Sequence, residues 1–125
     1  MQNELAVTFE GDYVQVISDG EKDFAFATQL WSDVAKVCEQ HKCFNVLGIA
    51  NTTKPIEVFE AFDHAKLFEN LNIAHPYRIA WVELNLDATD MAAFVEMVLT
   101  NRGLPGRLFS NVSDATEWLL GDKEA

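Results

Sequence analysis

The chain has 125 residues, 49% of them hydrophobic, a length for one ordinary domain and a composition too apolar for disorder. Nine basic residues against twenty acidic give a net charge of −11, and the basic ones lie singly along the chain, which argues against nucleic acid and anionic lipid headgroups as partners. No apolar run reaches the roughly 18 residues that cross a membrane, and Met1-Gln2-Asn3-Glu4 carries neither the basic region nor the long apolar core of a secretion signal, so a cytoplasmic protein without membrane insertion is the expectation.

Residues 4–9 and 13–18 alternate polar and apolar, with Glu10-Gly11-Asp12 between them. That pattern predicts an antiparallel hairpin. A helix is predicted from Asp23 to Gln40, with Ala27, Leu30, Trp31, Val34, Val37 and Cys38 on one face. Phe44 to Ile49 is a short apolar run, read as a buried strand. A second helix is predicted from Pro55 to Asn70, with Val58, Phe59, Phe62, Ala65 and Leu71 along its inner side. Tyr77 to Leu84 is the clearest strand. A third helix follows from Ala88 to Arg102, stopped by Gly103 and Pro105. Gly106 to Phe109 is a last short strand, and Ser113 is placed to cap a closing helix carrying Ala115, Trp118 and Leu119. Residues beyond Gly121 are expected to fray.

The order is ββαβαβαβα, a single α/β domain on a mostly parallel five-stranded sheet, with right-handed crossovers and an N-terminal antiparallel hairpin. If each crossover steps the same way, the helices collect on one face. The opposite face, with Ala6, Thr8, Tyr13 and Gln15, is then semi-polar and suited to a twofold contact between two copies.

Several local stretches resemble the SpoIIAA-like branch of the STAS domains, relatives of bacterial anti-sigma-factor antagonists. They are the Gly48-Ile49 strand end, Tyr77-Arg78-Ile79-Ala80, Asn101-Arg102-Gly103 before a strand ending in Phe109, and Asp114-Ala115-Thr116-Glu117-Trp118-Leu119. The resemblance spans about residues 4–120. It implies the same (βα) superhelix and a non-enzymatic protein-interaction role. In the antagonists a serine after the third strand, at the start of the second helix, is phosphorylated, which breaks the partner contact. The resemblance places Thr52 and Thr53 in that loop. Here the loop reads Asn51-Thr52-Thr53-Lys54, whereas the antagonists carry an aspartate and a serine-glycine pair.

Two readings of these threonines compete. One is turn and cap duty, because a hydroxyl at a helix start accepts an orphan N–H. The other is a partner contact or phosphoacceptor, which a helix N-terminus tolerates through its free N–H groups and partial positive charge. Pro55 complicates the first, since it favours the first helical position and would leave Lys54 as a poor cap.

Other constellations are weaker. Cys38, His41 and Cys43 form a single cluster at a helix end with no second pair of ligands, so burial of Cys38 is preferred to structural zinc. His41, His64 and His75 are scattered, and no GxSxG, GxGxxG, phosphate loop or HExxH occurs. Neither a cofactor nor a metal is expected. Asp12, Asp19, Glu21 and Asp23 read as a solvated rim. Trp31, Trp81 and Trp118 read as core. Phe24 and Phe26 stand two apart on a helix and point different ways. One of them is expected to be exposed and, with Phe68 or Leu71, to line an opening for a small amphiphile, as in the related SEC14-type carriers. The preferred expectation is recognition of a protein partner through Asn51 to Lys54 and the start of the second helix. An apolar-ligand carrier is the alternative, and an enzyme comes third.

Overall fold

The computed structural model describes residues 3–21, 23–54 and 56–121. In chain order the elements are β1 Asn3–Phe9, β2 Val14–Glu21, α1 Phe24–His41, β3 Asn45–Lys54, α2 Val58–Asn70, β4 Arg78–Glu83, a 3-10 turn Leu86–Ala88, α3 Thr89–Asn101, β5 Arg107–Phe109 and α4 Val112–Gly121. The expected ββαβαβαβα order is present. The sheet runs β1-β2-β3-β4-β5, antiparallel between β1 and β2 and parallel elsewhere.

Local chemistry sets the element ends. Gly11, at φ +99, turns the hairpin. The Phe26 N–H donates to Asp23 Oδ1 at 2.8 Å and caps α1. At the end of α3, Leu104 N–H reaches Leu99 O at 2.9 Å and Gly103 N–H reaches Thr100 O at 3.0 Å, with Gly103 at φ +71. This is a Schellman stop. The closing helix differs from expectation, because Asn111 rather than Ser113 supplies its cap, Oδ1 accepting from Asp114 N–H at 2.7 Å. The fraying expected beyond Gly121, and Pro55, lie outside the described residues.

Each parallel crossover steps one strand onward, so α1, α2 and α3 share one face. Between them and the sheet lie Val14, Val16, Val46, Ile79 and Trp81 from the strands and Leu30, Trp31, Val34, Ala65 and Phe68 from the helices. The fourth helix goes to the other face. There Ala115 and Leu119 cover Leu47, Ala80 and Val82, and Arg78 donates to Trp118 O at 2.8 Å with its guanidinium 4.1 Å from the Trp118 ring. The bare part of that face is therefore narrower than expected. It comprises β1 and β2, where Ala6, Thr8 and Ile17 are exposed while Tyr13 and Gln15 are half-buried.

The main departure concerns β3 and α2. The strand does not end at Ile49; it runs through Asn51-Thr52-Thr53-Lys54, pairing with β2 to Glu21. Polar side chains obscured this, because a central strand reads as apolar only while both its faces are covered. The second helix starts at Val58, where Glu57 N–H donates to Glu60 Oε1 at 2.9 Å. The threonines thus do no cap duty.

Candidate functional site

The carboxyl ends of parallel strands are the usual location of binding sites in α/β sheets, and here that end is built around Thr52. Strand alternation turns Thr52 and Glu83 toward the helix face. Thr52 is only 3% exposed. Its hydroxyl donates to Glu83 Oε1 at 2.7 Å and its N–H to Glu83 Oε2 at 2.9 Å. The Asn85 N–H adds a third donor to Oε2 at 3.2 Å, and the Asn85 amide donates back to Thr52 O. Thr52 and Glu83 border a dimple with Ile56, Ala88 and Met91.

The neighbouring residue behaves oppositely. Gly20 of β2 faces Thr52 while Glu21 faces Lys54, so Thr53 is the extra residue of a β-bulge. A bulge leaves one residue unpaired and re-aims its side chain. Asn51, Thr53 and Lys54 are all exposed. Of the two hydroxyls singled out in the sequence, only that of Thr53 faces solvent. It lies on the strand, ahead of the Glu57 cap, so the helix-terminus argument for tolerating a phosphate does not apply to it.

Apolar side chains expected inside are exposed on α2, the helix that follows this strand. Val58, Phe59 and Phe62 were expected on the inner stripe of α2, yet they are 55%, 67% and 47% exposed. The buried stripe is Ala61, His64, Ala65, Leu67 and Phe68. The helix is apolar on two sides, and the side that is buried carries the small residues Ala61 and Ala65 rather than the larger Val58, Phe59 and Phe62. The signal lay in that size difference, which a hydrophobic count does not register. Phe62 packs edge-on to Phe94 of α3 with ring centroids 5.4 Å apart. After β4, Leu84 and Leu86 are also exposed, the latter at 85%. Leu84 is fixed beside β3 by its N–H to Ala50 O at 2.7 Å. Exposed carboxylates at Glu57, Asp63, Asp87 and Asp90 intersperse these side chains.

The expected opening near Phe24 and Phe26 is not formed by those residues. Both are half-buried against the main core, neither is exposed, and Leu71 is half-buried likewise. Phe68 does border a cavity, together with Trp31 and Trp81. His64 is buried, its Nδ1 lying 2.9 Å from Glu60 O.

Cys38, His41 and Cys43 do not converge. Cys38 is sealed in the core, His41 stacks on Phe9 with centroids 4.1 Å apart, and Cys43 Sγ lies 3.5 Å from Asp12 O. Among the described residues no group of three or more His, Cys, Asp or Glu is arranged to hold a metal ion, and no helix is long and apolar enough to cross a membrane. Burial, then the neighbouring Cys43 and Glu39, push the Cys38 thiol from 9.0 up to about 12. Burial, then Cys38 and Glu39, push Tyr77 from 10.0 up to about 12. Unfolding lets both groups release protons at lower pH than the folded chain allows. Above pH 9.0 the unfolded state therefore binds fewer protons, and stability falls as pH rises from 9.0 toward about 12. The denaturation midpoint is expected to drop above pH 9.0, with a shallower drop in Cys38→Ala. Equal slopes for the two chains above that pH would contradict the assignment.

Compared with known proteins, the chain matches no family model and has no match among curated proteins.

Proposed function

We propose that this protein is a non-enzymatic recognition module of the STAS type, gripping a protein partner at the carboxyl end of its parallel strands. One observation carries the reading: Val58, Phe59, Phe62, Leu84 and Leu86 stand exposed in the segments that leave β3 and β4 at their carboxyl ends, and the bulged Thr53 at the end of β3 faces solvent too. A concentration of large apolar side chains on a surface marks an interaction site, whereas scattered single ones do not. The element order supports the likeness to the SpoIIAA-like branch, and in that branch the corresponding loop meets the partner.

Charge narrows the partner's chemistry. The apolar group is interspersed with Glu57, Asp63, Asp87 and Asp90, in a chain of net charge −11. The complementary surface is an apolar stripe flanked by lysine or arginine, which gains both burial and attraction. Thr53, the exposed hydroxyl of the pair, is the position where added phosphate would repel or reorder such a contact.

The test is affinity capture from the source lysate with the wild-type chain and with Phe59→Glu/Leu86→Glu. Exposed positions of this kind change folding stability by about 0.5 kcal/mol or less, so the double variant should melt with the wild type. Proteins recovered by the wild type and lost from the variant are the expected result. Identical recovery by both chains would reject this surface. Phosphate mapping after incubation with lysate and ATP should find Thr53 and not Thr52; phosphate on Thr52 would contradict its burial against Glu83.

A further inference from the structure

The two edges of the sheet are finished differently. At one end β5 is only three residues long, and the Leu108 N–H, which does not bond β4, is taken by Glu96 Oε2 at 2.8 Å. At the other end β1 runs for seven residues and pairs with β2 from Asn3 to Phe9 without a bulge. It contains no proline or lysine, and its single charged residue is Glu4. Strand edges are normally blunted by such devices, because unpaired backbone groups template pairing with another chain.

Which groups of β1 are unpaired follows from the hairpin. Glu10 N–H donates to Tyr13 O at 2.8 Å, so Glu10 and Tyr13 form a hydrogen-bonded pair. Bonded and non-bonded pairs alternate along an antiparallel ladder. With the register unbroken, Thr8, Ala6 and Glu4 direct their backbone groups to β2, whereas those of Phe9, Val7 and Leu5 point away from it. Among the described residues no hydrogen bond reaches the N–H or C=O of Leu5 or Val7.

The strand is also complementary to itself. Antiparallel pairing about a twofold axis at Ala6 sets Leu5 opposite Val7 of the second copy, so the free groups of one strand meet those of the other. This register uses the whole strand. Ala6 meets Ala6 in a non-bonded pair, the closer kind, which a methyl suits. Glu4 meets Thr8, whose hydroxyl can donate to it, and the two Glu4 carboxylates are kept apart. On the face that α4 leaves bare, Ile17 pairs with Ala6 in the ladder and is 44% exposed. Ile17 and Ala6 of both copies then make one apolar strip across the join.

We propose that two copies of this chain dimerise edge to edge through β1, joining their sheets into one continuous sheet. An isologous contact of this kind closes on itself, and Glu96 on β5 guards the far edge against further growth. The contact involves none of the residues of the recognition surface. The net charge of −11 on each copy opposes association, so the dimer tightens as added salt screens the repulsion.

Sedimentation equilibrium of the wild-type chain, from micromolar to millimolar concentration, should show a dimer that strengthens with salt. Val7→Pro removes an outward N–H and no bond to β2, and strands admit proline where the N–H faces solvent. That chain should stay folded and associate at least about tenfold more weakly, since the twofold axis removes two hydrogen bonds at once. Ala6→Cys and Thr8→Cys, each in a Cys43→Ser background, test the register. Opposed non-bonded residues lie about 4.5 Å apart between Cα atoms, within the span of a disulfide. Mild oxidation should therefore cross-link Ala6→Cys and spare Thr8→Cys, whose two copies stand about 13 Å apart. In the wild type, the Leu5 and Val7 amides should exchange more slowly as the dimer forms. Four results would overturn the proposal: a monomer at millimolar concentration, a dimer unweakened in Val7→Pro, cross-linking of Thr8→Cys in preference to Ala6→Cys, or Leu5 and Val7 amides that exchange equally fast in monomer and dimer. The mass and exchange measurements need no variant, so they decide the matter even if a substitution impairs folding.

Discussion

Gly48→Ala is expected to destabilise the protein by about 3 kcal/mol or more, the upper part of the range for forcing an extra methyl into a close-packed core. Gly48 lies in the middle of β3, directly opposite Trp81 of β4 in the parallel ladder. The indole lies across the glycine. A Cβ built on Gly48 collides with Cε3 and Cζ3 at the edge of the six-membered ring and sits 2.8 Å from Cδ2. Trp31 lies beside Trp81 at 5.4 Å between centroids, tilted by 37°, and Phe68 meets Trp31 edge-on, so the indole can withdraw only toward the cavity it borders. Glycine within a strand often marks such a close approach. Chemical denaturation of the single variant, of Trp81→Leu and of the double variant measures the effect. The methyl should be nearly harmless in the Trp81→Leu background, since the atoms it strikes are gone, giving a large coupling energy. A Gly48→Ala chain with the wild-type midpoint would show that the indole does not rest on the glycine.

The same residue shows what was legible in the sequence. Gly48 was readable as part of a buried strand but not as a seat for an indole, because the contact joins residues from different elements. The element order was legible for a similar reason. Period-two and period-3.6 patterns are written locally, and they survive in β1, β2, α1 and β4. Three features were not. The polar letters Asn51 to Lys54 hid the extension of β3, since what keeps them in the sheet is pairing with Gly20 and Glu21, far away in sequence. The orientation of α2 was rotated, because hydrophobicity alone favours Val58, Phe59 and Phe62, whereas the side that is buried is that of Ala61, His64, Ala65, Leu67 and Phe68. The placement of α4 on the opposite face had no local signal at all; Arg78 and the Leu47, Ala80 and Val82 surface of the sheet hold it there. Of the loop expected to carry recognition, the position was legible. The division of labour within it, Thr52 inward and Thr53 outward, was not, because strand alternation and a bulge had first to be known.

That division is set by Glu83, and its removal gives the second large effect. Both oxygens of Glu83 accept hydrogen bonds, one from the Thr52 hydroxyl and the other from the N–H groups of Thr52 and Asn85. The side chain is 7% exposed. Glu83→Ala leaves two backbone donors and one hydroxyl facing an apolar gap. An orphaned buried donor costs about 1–3 kcal/mol; the hydroxyl can rotate, so the two amides dominate, and the expected loss is about 3–4 kcal/mol in all. Glu83→Gln keeps one oxygen for the two amides and presents its amino group to the threonine oxygen, which can accept. A loss of about 1–2 kcal/mol is expected for it. Thr52→Val should fall between the two, because it preserves shape and the amide contact but strands one carboxylate oxygen. Denaturant midpoints rank the three variants. Amide hydrogen exchange locates the cause: the Thr52 and Asn85 amides should be slow in the wild type and exchange much faster in Glu83→Ala, while the β1–β2 hairpin stays protected. Uniform acceleration across the whole sheet would mean that Glu83 supports the fold at large and does not fasten this end in particular. The local outcome matters for recognition, since the same bonds tie Glu83 and Asn85, the neighbours of Leu84 and Leu86 in sequence, to Thr52. A chain that is still folded but loosened there should hold its partner less tightly than the wild type, through ordering of the surface that must now occur on contact.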